Sequence, residues 1–205
     1  MTKKPAAARQ TSLAFRKKAL SALTTDIGVY ALCDLDEVPI YVGQSVDGIR
    51  SRVNRHLTSA RSDIIANRQI DVWEIAFVKA WPVRGAEDIP HLEAVLFQGF
   101  NQSKTLMNGS IPRLTGTMPT SLPAPAQTVQ VMSDDDIRVR RDPMLRLPRQ
   151  IEHIGRLVDH ILSVKDSEQL RRSLAAHFER LDAYRVAFLQ QGAPVVRAPG
   201  ESDEE

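Results

Sequence analysis

The sequence predicts an α/β protein of the α+β type: a small sheet flanked by helices, then a linker and a C-terminal α-helical hairpin. Two patterns predict this class. Three short runs of β-branched and aromatic residues lie in the first half, and apolar residues at helical spacing separate them and return near the C-terminus. The 205 residues are 42% hydrophobic and 25% charged, which excludes collagen, long disorder and disulfide scaffolds as the main class.

The predicted strands lie around one turn-rich segment and in one later apolar run. Gly28 to Cys33 and Ile40 to Val42 are β-prone, and DLDEVP between them favours a turn, so the pair predicts a β-hairpin. The segment DVWEIAFVKAWP, residues 71–82, predicts a third strand that ends at its proline. QTVQVM, residues 127–132, is a further short strand candidate.

Apolar spacing predicts helices between and after these strands. One is expected over residues 9–23, and a second begins after a cap at Ser45 or Asp47 and buries residues spaced four apart. A third is expected over residues 86–102.

The C-terminal region is predicted to be a helical hairpin. Its two amphipathic stripes, residues 151–162 and 170–188, must cover either the first domain or another copy of the chain, so a homodimer through these helices is one expectation. The chain then divides into a basic N-terminal arm and helix (1–26), a first domain (27–109), a Pro-rich linker or long loop (110–146), a helical region (147–191) and a disordered acidic tail (192–205).

The charges cancel in total but not locally. The formal net charge of +2, from 27 basic and 25 acidic residues, indicates no particular partner. Basic residues nevertheless cluster before residue 26, between Gly48 and Arg61, and from Arg138 to Arg149. Such clusters attract nucleic-acid phosphates or simply form a solvated surface, and the sequence leaves both alternatives open.

Cysteine content and hydropathy bear on the compartment. Cys33 is the single cysteine, which excludes an intramolecular disulfide and a cysteine-based zinc site and fits a reducing compartment. No apolar run reaches the roughly 20 residues that a membrane span needs, and none of signal-peptide length follows the N-terminus. We expect a cytoplasmic protein that does not bind membranes.

Several polar and aromatic residues do not fit the apolar pattern and form a second signal. Tyr30 and Tyr41 lie on the hairpin strands, whereas Arg52 and His56, four residues apart, share a helix face. Glu93 interrupts the apolar face of a later helix. Cleavage of a phosphodiester needs a cation for the phosphate, a base for water and a group that holds a metal. The set can supply these, although each residue alone is more often a packing or solvated residue.

The order of these residues resembles that in the GIY-YIG nuclease family. Gly28-Val29-Tyr30 and Tyr41-Val42-Gly43 match the two halves of the family's name, with Val for Ile in both. G-I-R-S-R-V-N-R-H-L follows, then L-E-A-V-L on the later helix and L-M-N ending at Asn108. These five separated elements occur in the family's order over residues 27–109.

The resemblance implies a three-stranded antiparallel sheet flanked by helices, and cleavage of a nucleic-acid backbone with one divalent metal, Mg²⁺ or Mn²⁺. Glu93 takes the position of the metal ligand, and Arg52 that of the arginine that stabilises the phosphate. His56 matches the histidine thought to assist proton transfer. Asn108 matches the terminal asparagine, which orders the site by hydrogen bonding.

The resemblance also implies a tyrosine as general base. Tyr41 is the expected base for the attacking water, with Tyr30 hydrogen-bonding beside it, but the two roles are not separated by the sequence. Because the ordinary pKa of tyrosine is about 10, neighbouring cations must lower it. Arg52, a protonated His56 or the metal are the expected cations.

The expected partner is nucleic acid, in particular double-stranded DNA. Contacts are expected from the residues that flank the site, namely Gly43, Gln44, Ser45, Arg50 and Arg55. The helical region has no zinc finger or helix–hairpin–helix signature, so a restriction- or defence-type endonuclease is the expected class. A catalytically idle nucleic-acid-binding or protein-interaction module on the same fold is the alternative.

Overall fold

The computed structural model describes residues 6–59 and 62–191. The predicted basic arm before residue 6, Arg61 of the second basic cluster and the predicted acidic tail, 192–205, lie outside the described residues. Within the described part, the strands form one sheet and helices cover both of its faces.

A four-stranded antiparallel sheet forms the centre of the fold. Its strands are β1 (Gly28–Cys33), β2 (Pro39–Ser45), β3 (Phe77–Pro82) and β4 (Gln127–Gln130), in the spatial order β2-β1-β3-β4. β1 and β2 form the predicted hairpin. Every residue of β1 is buried, because this strand is internal and both of its faces are covered.

The sheet has one strand more than the three that the family resemblance implies. The short strand candidate at residues 127–132 forms this fourth strand, β4, inside the segment assigned to a Pro-rich linker, 110–146. β4 pairs with β3 from Gln130↔Phe77 to Gln127↔Ala80. The α+β class is therefore confirmed, whereas the three-stranded sheet is not exact. β4 is a short, polar edge strand, so the alternation of apolar residues that identifies longer strands is missing from it.

Helices lie on both faces of the sheet and continue after it. They are α1 (Ala6–Leu20), α2 (Ile49–Thr58), α3 (Asp63–Ala66), α4 (Ile89–Ser103, after a 3₁₀ turn at Ala86–Asp88), α5 (Asp134–Arg141), α6 (Pro143–Ser163) and α7 (Glu168–Gln190). One core, next to α2, contains Tyr30 and Val53, and the other, next to α4, contains Val29 and Phe97. Alternate residues of β1 therefore face different helices. Among the described helices, none is long and apolar enough to cross a membrane.

The C-terminal helices α6 and α7 pack against each other and cover the first domain. Buried ion pairs join the two parts: Arg146 pairs with Glu74, and Arg180 Nη1 lies 3.2 Å from Asp34 Oδ2. The sequence left open whether the helical hairpin covers the first domain or another copy of the chain. In the structure it covers the first domain. A homodimer through these helices would have to use their outer face, where Phe178 is exposed.

The third basic cluster makes contacts within the chain. Four of its side chains bond groups of the first domain: Arg140 bonds Trp73 O, Arg141 bonds Leu35 O, Arg146 bonds Glu74 and Arg149 bonds Asp71. Arg138 is exposed instead and pairs with Asp135, one turn earlier on the same helix. These four guanidinium groups hold the C-terminal region against the first domain.

Replacement of Arg146 tests this buried interface. Arg146→Ala leaves the Glu74 carboxylate buried without its cation, so we expect the free energy of unfolding to fall by about 3 kcal/mol, measured by urea denaturation of the full chain. Arg138→Ala is the control, because its side chain is 76% exposed, against 7% for Arg146. It should change the free energy by less than about 0.5 kcal/mol. Equal losses in the two variants would contradict the interface described.

Candidate active site

The β1–β2 register brings the two half-motifs together on the sheet face that α2 covers. Tyr30 pairs with Gly43, and Leu32 pairs with Tyr41. The two phenol rings therefore lie on one face, with centroids 6.4 Å apart. Tyr30 is fully buried and Tyr41 packs at the margin of the same core. The hairpin thus makes one structural unit of two separate sequence motifs.

Gly43 leaves the space that the Tyr30 ring occupies. A Cβ atom at this position would lie 2.5 Å from Tyr30 Oη and 2.6 Å from its Cζ, which is closer than side-chain atoms pack. Gly43 therefore sets how closely the Tyr30 phenol approaches β2. This structural role does not depend on any contact between Gly43 and a ligand.

Helix α2 brings two further groups to Tyr30. Nε2 of His56 lies 2.8 Å from Tyr30 Oη, and the charge of Arg52 acts on the same tyrosine by opposing the rise of its pKa. Nε of Arg52 is buried and has no partner among the residues described. The spacing of four predicted that Arg52 and His56 share a helix face, and both influence Tyr30.

Burial governs the protonation of this cluster in the chain alone. Burial raises the pKa of Tyr41 to about 12 and the pKa of Tyr30 well above its ordinary value, and Arg52 offsets only part of this effect. Burial, and then repulsion by Arg52, lowers the pKa of His56 to about 4. Desolvation therefore outweighs Arg52, so a lowered tyrosine pKa requires a further cation, and the metal is the one of the three expected cations that the chain itself does not include.

Glu93 belongs to α4, on the opposite face of the sheet. The residue is half-buried, and burial raises its pKa. Its charge raises the pKa of Tyr41, which places the carboxylate near that phenol, beside the edge strand β2. Within the described part of the chain, the carboxylate has no hydrogen-bond or ion-pair partner. Its oxygens are therefore available to a ligand.

The donor set fits an ion that is held mainly by water and substrate oxygens. In residues 6–59 and 62–191, no group of three or more His, Cys, Asp or Glu side chains could hold a metal. Mg²⁺ usually keeps several waters and binds one or two carboxylates together with phosphate oxygens. Glu93 alone meets that requirement.

Asn108 holds β2 in place. Its Nδ2 donates to Val42 O at 2.6 Å, and its Oδ1 accepts from Val42 N at 3.0 Å. The side chain thus bonds both backbone groups of Val42, the middle residue of the second half-motif, in the way that a neighbouring strand would. Because Asn108 is buried, it acts on the position of Tyr41 and Gly43 through the strand.

Helix α7 supports the segment that carries Asn108. Ser173 Oγ and Gln69 Nε2 donate to Met107 O, at 3.0 Å and 2.6 Å. His177 Nε2 lies 3.1 Å from Gln69 O. The C-terminal helix therefore braces one side of the site, a role for which no local sequence pattern gives a signal.

The residues predicted to contact nucleic acid differ in accessibility. Gln44 and Arg55 are exposed. Arg50 is half-buried, and its Nε donates to Leu23 O at 2.6 Å, which fixes the base of the guanidinium. These three side chains remain candidates for backbone contacts.

Ser45 is used within the turn before α2. It is buried, and its Oγ donates to Gly48 O at 2.9 Å. Neither Ser45 nor Asp47 caps the helix as predicted, because the N-cap residue is Gly48. Its φ of 99° favours glycine, and a Cβ there would lie 2.5 Å from Thr25 O.

Two residues next to the site were not predicted, and both lie at the start of α3. The Oγ of Ser62 lies 2.6 Å from His56 Nδ1. The charge of Asp63 raises the pKa values of Tyr41 and Arg52. The Ser-Asp pair could have been identified as a helix start, but nothing in the sequence links it to the histidine.

Substitution of Gly43 tests the close contact with Tyr30. Gly43→Ala forces the ring or the strand to move, so we expect a loss of about 1–3 kcal/mol in the free energy of unfolding, measured by urea denaturation. Gly155→Ala is the matched control, because a Cβ at this helical position meets no atom within 4 Å. It should stabilise the protein by about 0.5–1 kcal/mol. A neutral Gly43→Ala would contradict the geometry.

The chain was compared with protein-family models, with curated proteins and with solved structures, and none of these comparisons gave a match. Functional assignment therefore rests on the motif resemblance and on the geometry of the site.

Proposed function

We propose that the protein is a metal-dependent endonuclease that hydrolyses phosphodiester bonds of DNA. The observation that carries this proposal is the convergence of Tyr30, Tyr41 and His56, whose ring centroids lie 6.0 to 6.4 Å apart, with Arg52 on the helix face that carries His56. Two phenols, an imidazole and a guanidinium thus lie together at one place on the sheet. They suit a reaction in which protons move beside a phosphate.

Each side chain has a distinct part in the proposed hydrolysis. Tyr41 acts as its phenolate: a water oxygen bonds to phosphorus, the water proton passes to the Tyr41 oxygen, and the bond from phosphorus to the leaving oxygen breaks while that oxygen takes a proton from solvent. Arg52 stabilises the negative charge that builds on the phosphate oxygens. Tyr30 and His56 support the site through the hydrogen bond between His56 Nε2 and Tyr30 Oη.

Glu93 is the residue that would hold the divalent ion, Mg²⁺ or Mn²⁺. Bound there, the ion supplies positive charge to the phosphate and helps to lower the pKa of a nearby phenol. Tyr41 needs such help, because its pKa in the chain alone is about 12.

The proposed substrate is double-stranded DNA and the proposed class is a restriction- or defence-type enzyme. Exposed Arg55 and half-buried Arg50, on the helix that carries Arg52, support contacts to the backbone on either side of the scissile phosphate. A homodimer through α6 and α7 would provide two sites for the two strands.

The alternative is a catalytically idle module that binds nucleic acid or protein with the same fold. Burial favours this alternative, because it raises the pKa values of both phenols and lowers that of His56, which opposes proton transfer in the chain alone. The presence of Glu93, with no partner of its own, favours the enzyme instead. Activity of the Glu93 variant distinguishes the two.

We expect Glu93→Gln to abolish Mg²⁺-dependent nicking of supercoiled plasmid, because the ion loses its protein ligand. The rate of relaxation is measured on agarose gels with the full chain, with and without Mg²⁺. Glu87→Gln, which removes the same charge at an exposed position six residues earlier, should retain the activity. If wild type cuts no DNA or RNA offered, or if Glu93→Gln cuts as well as wild type, the enzyme proposal fails.

We expect Tyr41→Phe to reduce cleavage by about 10²-fold or more while DNA binding is retained, because the phenol oxygen is lost and the ring remains. Single-turnover rates and gel-shift affinities measure the two effects separately. Tyr184→Phe is the control, since this tyrosine lies in the α6–α7 interface and bonds Arg146. Unchanged cleavage by Tyr41→Phe would remove Tyr41 as the base.

A further inference from the structure

The hydroxyl of Ser62 has a single hydrogen-bond partner in the described part of the chain. Its Oγ lies 2.6 Å from His56 Nδ1, and the residue is 1% exposed. Ser62 occupies the N-cap position of α3, where a serine side chain usually accepts a bond from the first turn of the helix. It makes no cap bond. The side chain is turned to His56 instead.

This single contact determines which ring nitrogen of His56 carries the proton. A buried hydroxyl proton needs an acceptor, and Nδ1 is the one within reach of Ser62 Oγ. Nδ1 can accept only in the tautomer that carries its proton on Nε2. In the other tautomer, Nδ1–H would donate to Ser62 Oγ and the hydroxyl proton would be left buried without a partner. The Nε2–H tautomer is therefore favoured. Burial also lowers the pKa of His56 to about 4, so the ring is neutral.

The direction of the next bonds follows from this tautomer. Nε2–H donates to Tyr30 Oη over 2.8 Å. With Nε2–H donating to its oxygen, Tyr30 directs its own proton away from His56. The neighbouring hydroxyl on the same sheet face is that of Tyr41, whose ring centroid lies 6.4 Å from that of Tyr30. Against the rise that burial causes, Tyr30 also lowers the pKa of Tyr41, as a donor to the phenolate would.

We propose that Ser62 is a positioning residue for the reaction: it fixes the Nε2–H tautomer of His56, so that the chain Ser62, His56, Tyr30 donates stepwise towards the Tyr41 oxygen. Tyr41 is then the end of the chain and the general base, whereas Tyr30 is a donor that stabilises the Tyr41 phenolate. The proposal deepens the proposed function and rests on it for the role of Tyr41.

The tautomer can be measured without any activity. In a long-range ¹H–¹⁵N spectrum of the uniformly ¹⁵N-labelled full chain near neutral pH, we expect His56 Nε2 to be protonated and Nδ1 to be unprotonated. Among the five histidines, the His56 signals are those that disappear in His56→Gln. Protonated Nδ1 in the wild type would overturn the proposal.

Substitution of Ser62 tests the effect on catalysis. We expect Ser62→Ala to lower kcat about 10- to 100-fold with KM within about twofold of wild type, and to shift the His56 signals towards the other tautomer. Ser62→Thr keeps the hydroxyl and should restore both kcat and the tautomer. Ser163→Ala, at an exposed position near the end of α6, should behave as wild type. A Ser62→Ala protein that keeps wild-type kcat and tautomer would overturn the proposal.

The proposed nuclease activity and the proposed role of Ser62 can be rejected independently of each other. If wild type cleaves no nucleic acid, the proposed function fails, and the ¹⁵N spectrum still decides whether Ser62 sets the histidine tautomer. If wild type cleaves DNA but His56 carries its proton on Nδ1, the nuclease stands and the positioning role of Ser62 is rejected.

Discussion

The site depends on the burial of one hydroxyl, that of Tyr30. The residue is fully enclosed between β1, β2 and α2, so its Oη must find its partners inside the protein. His56 provides one from α2, where Arg52 also acts on this tyrosine by its charge, and the absent side chain of Gly43 makes the close approach possible. Because these interactions meet at one side chain, a shift of either strand or helix disturbs all of them. Tyr41 is positioned as the neighbour of this group.

The C-terminal half of the chain completes this arrangement. Asn108 fixes β2 by pairing with the backbone of Val42, and Ser173 of α7 in turn fixes the residue before Asn108. Arg146 and Glu74 attach the same helical hairpin to the first domain through a buried ion pair. The C-terminal helices therefore support the candidate site.

The parts of the fold that local patterns specify could be predicted from the sequence. The β-hairpin, the helix that carries Arg52 and His56, and the helix that carries Glu93 follow from periodicities of two and 3.6 residues. Long-range contacts could not be predicted, such as the pairing of β4 or the bond between Ser62 and His56, since no spacing records them. The raised tyrosine pKa values could not be predicted either, because desolvation depends on the whole packed core.

Cleavage in ¹⁸O-enriched water tests most directly the claim that the protein activates water against a phosphodiester. An oligonucleotide duplex is cleaved in a single turnover with Mg²⁺. The masses of the product strands, which carry the new terminal phosphates, are then measured by mass spectrometry. The account predicts one ¹⁸O atom in each new terminal phosphate. Terminal phosphates without ¹⁸O, or no cleavage at all, would contradict it.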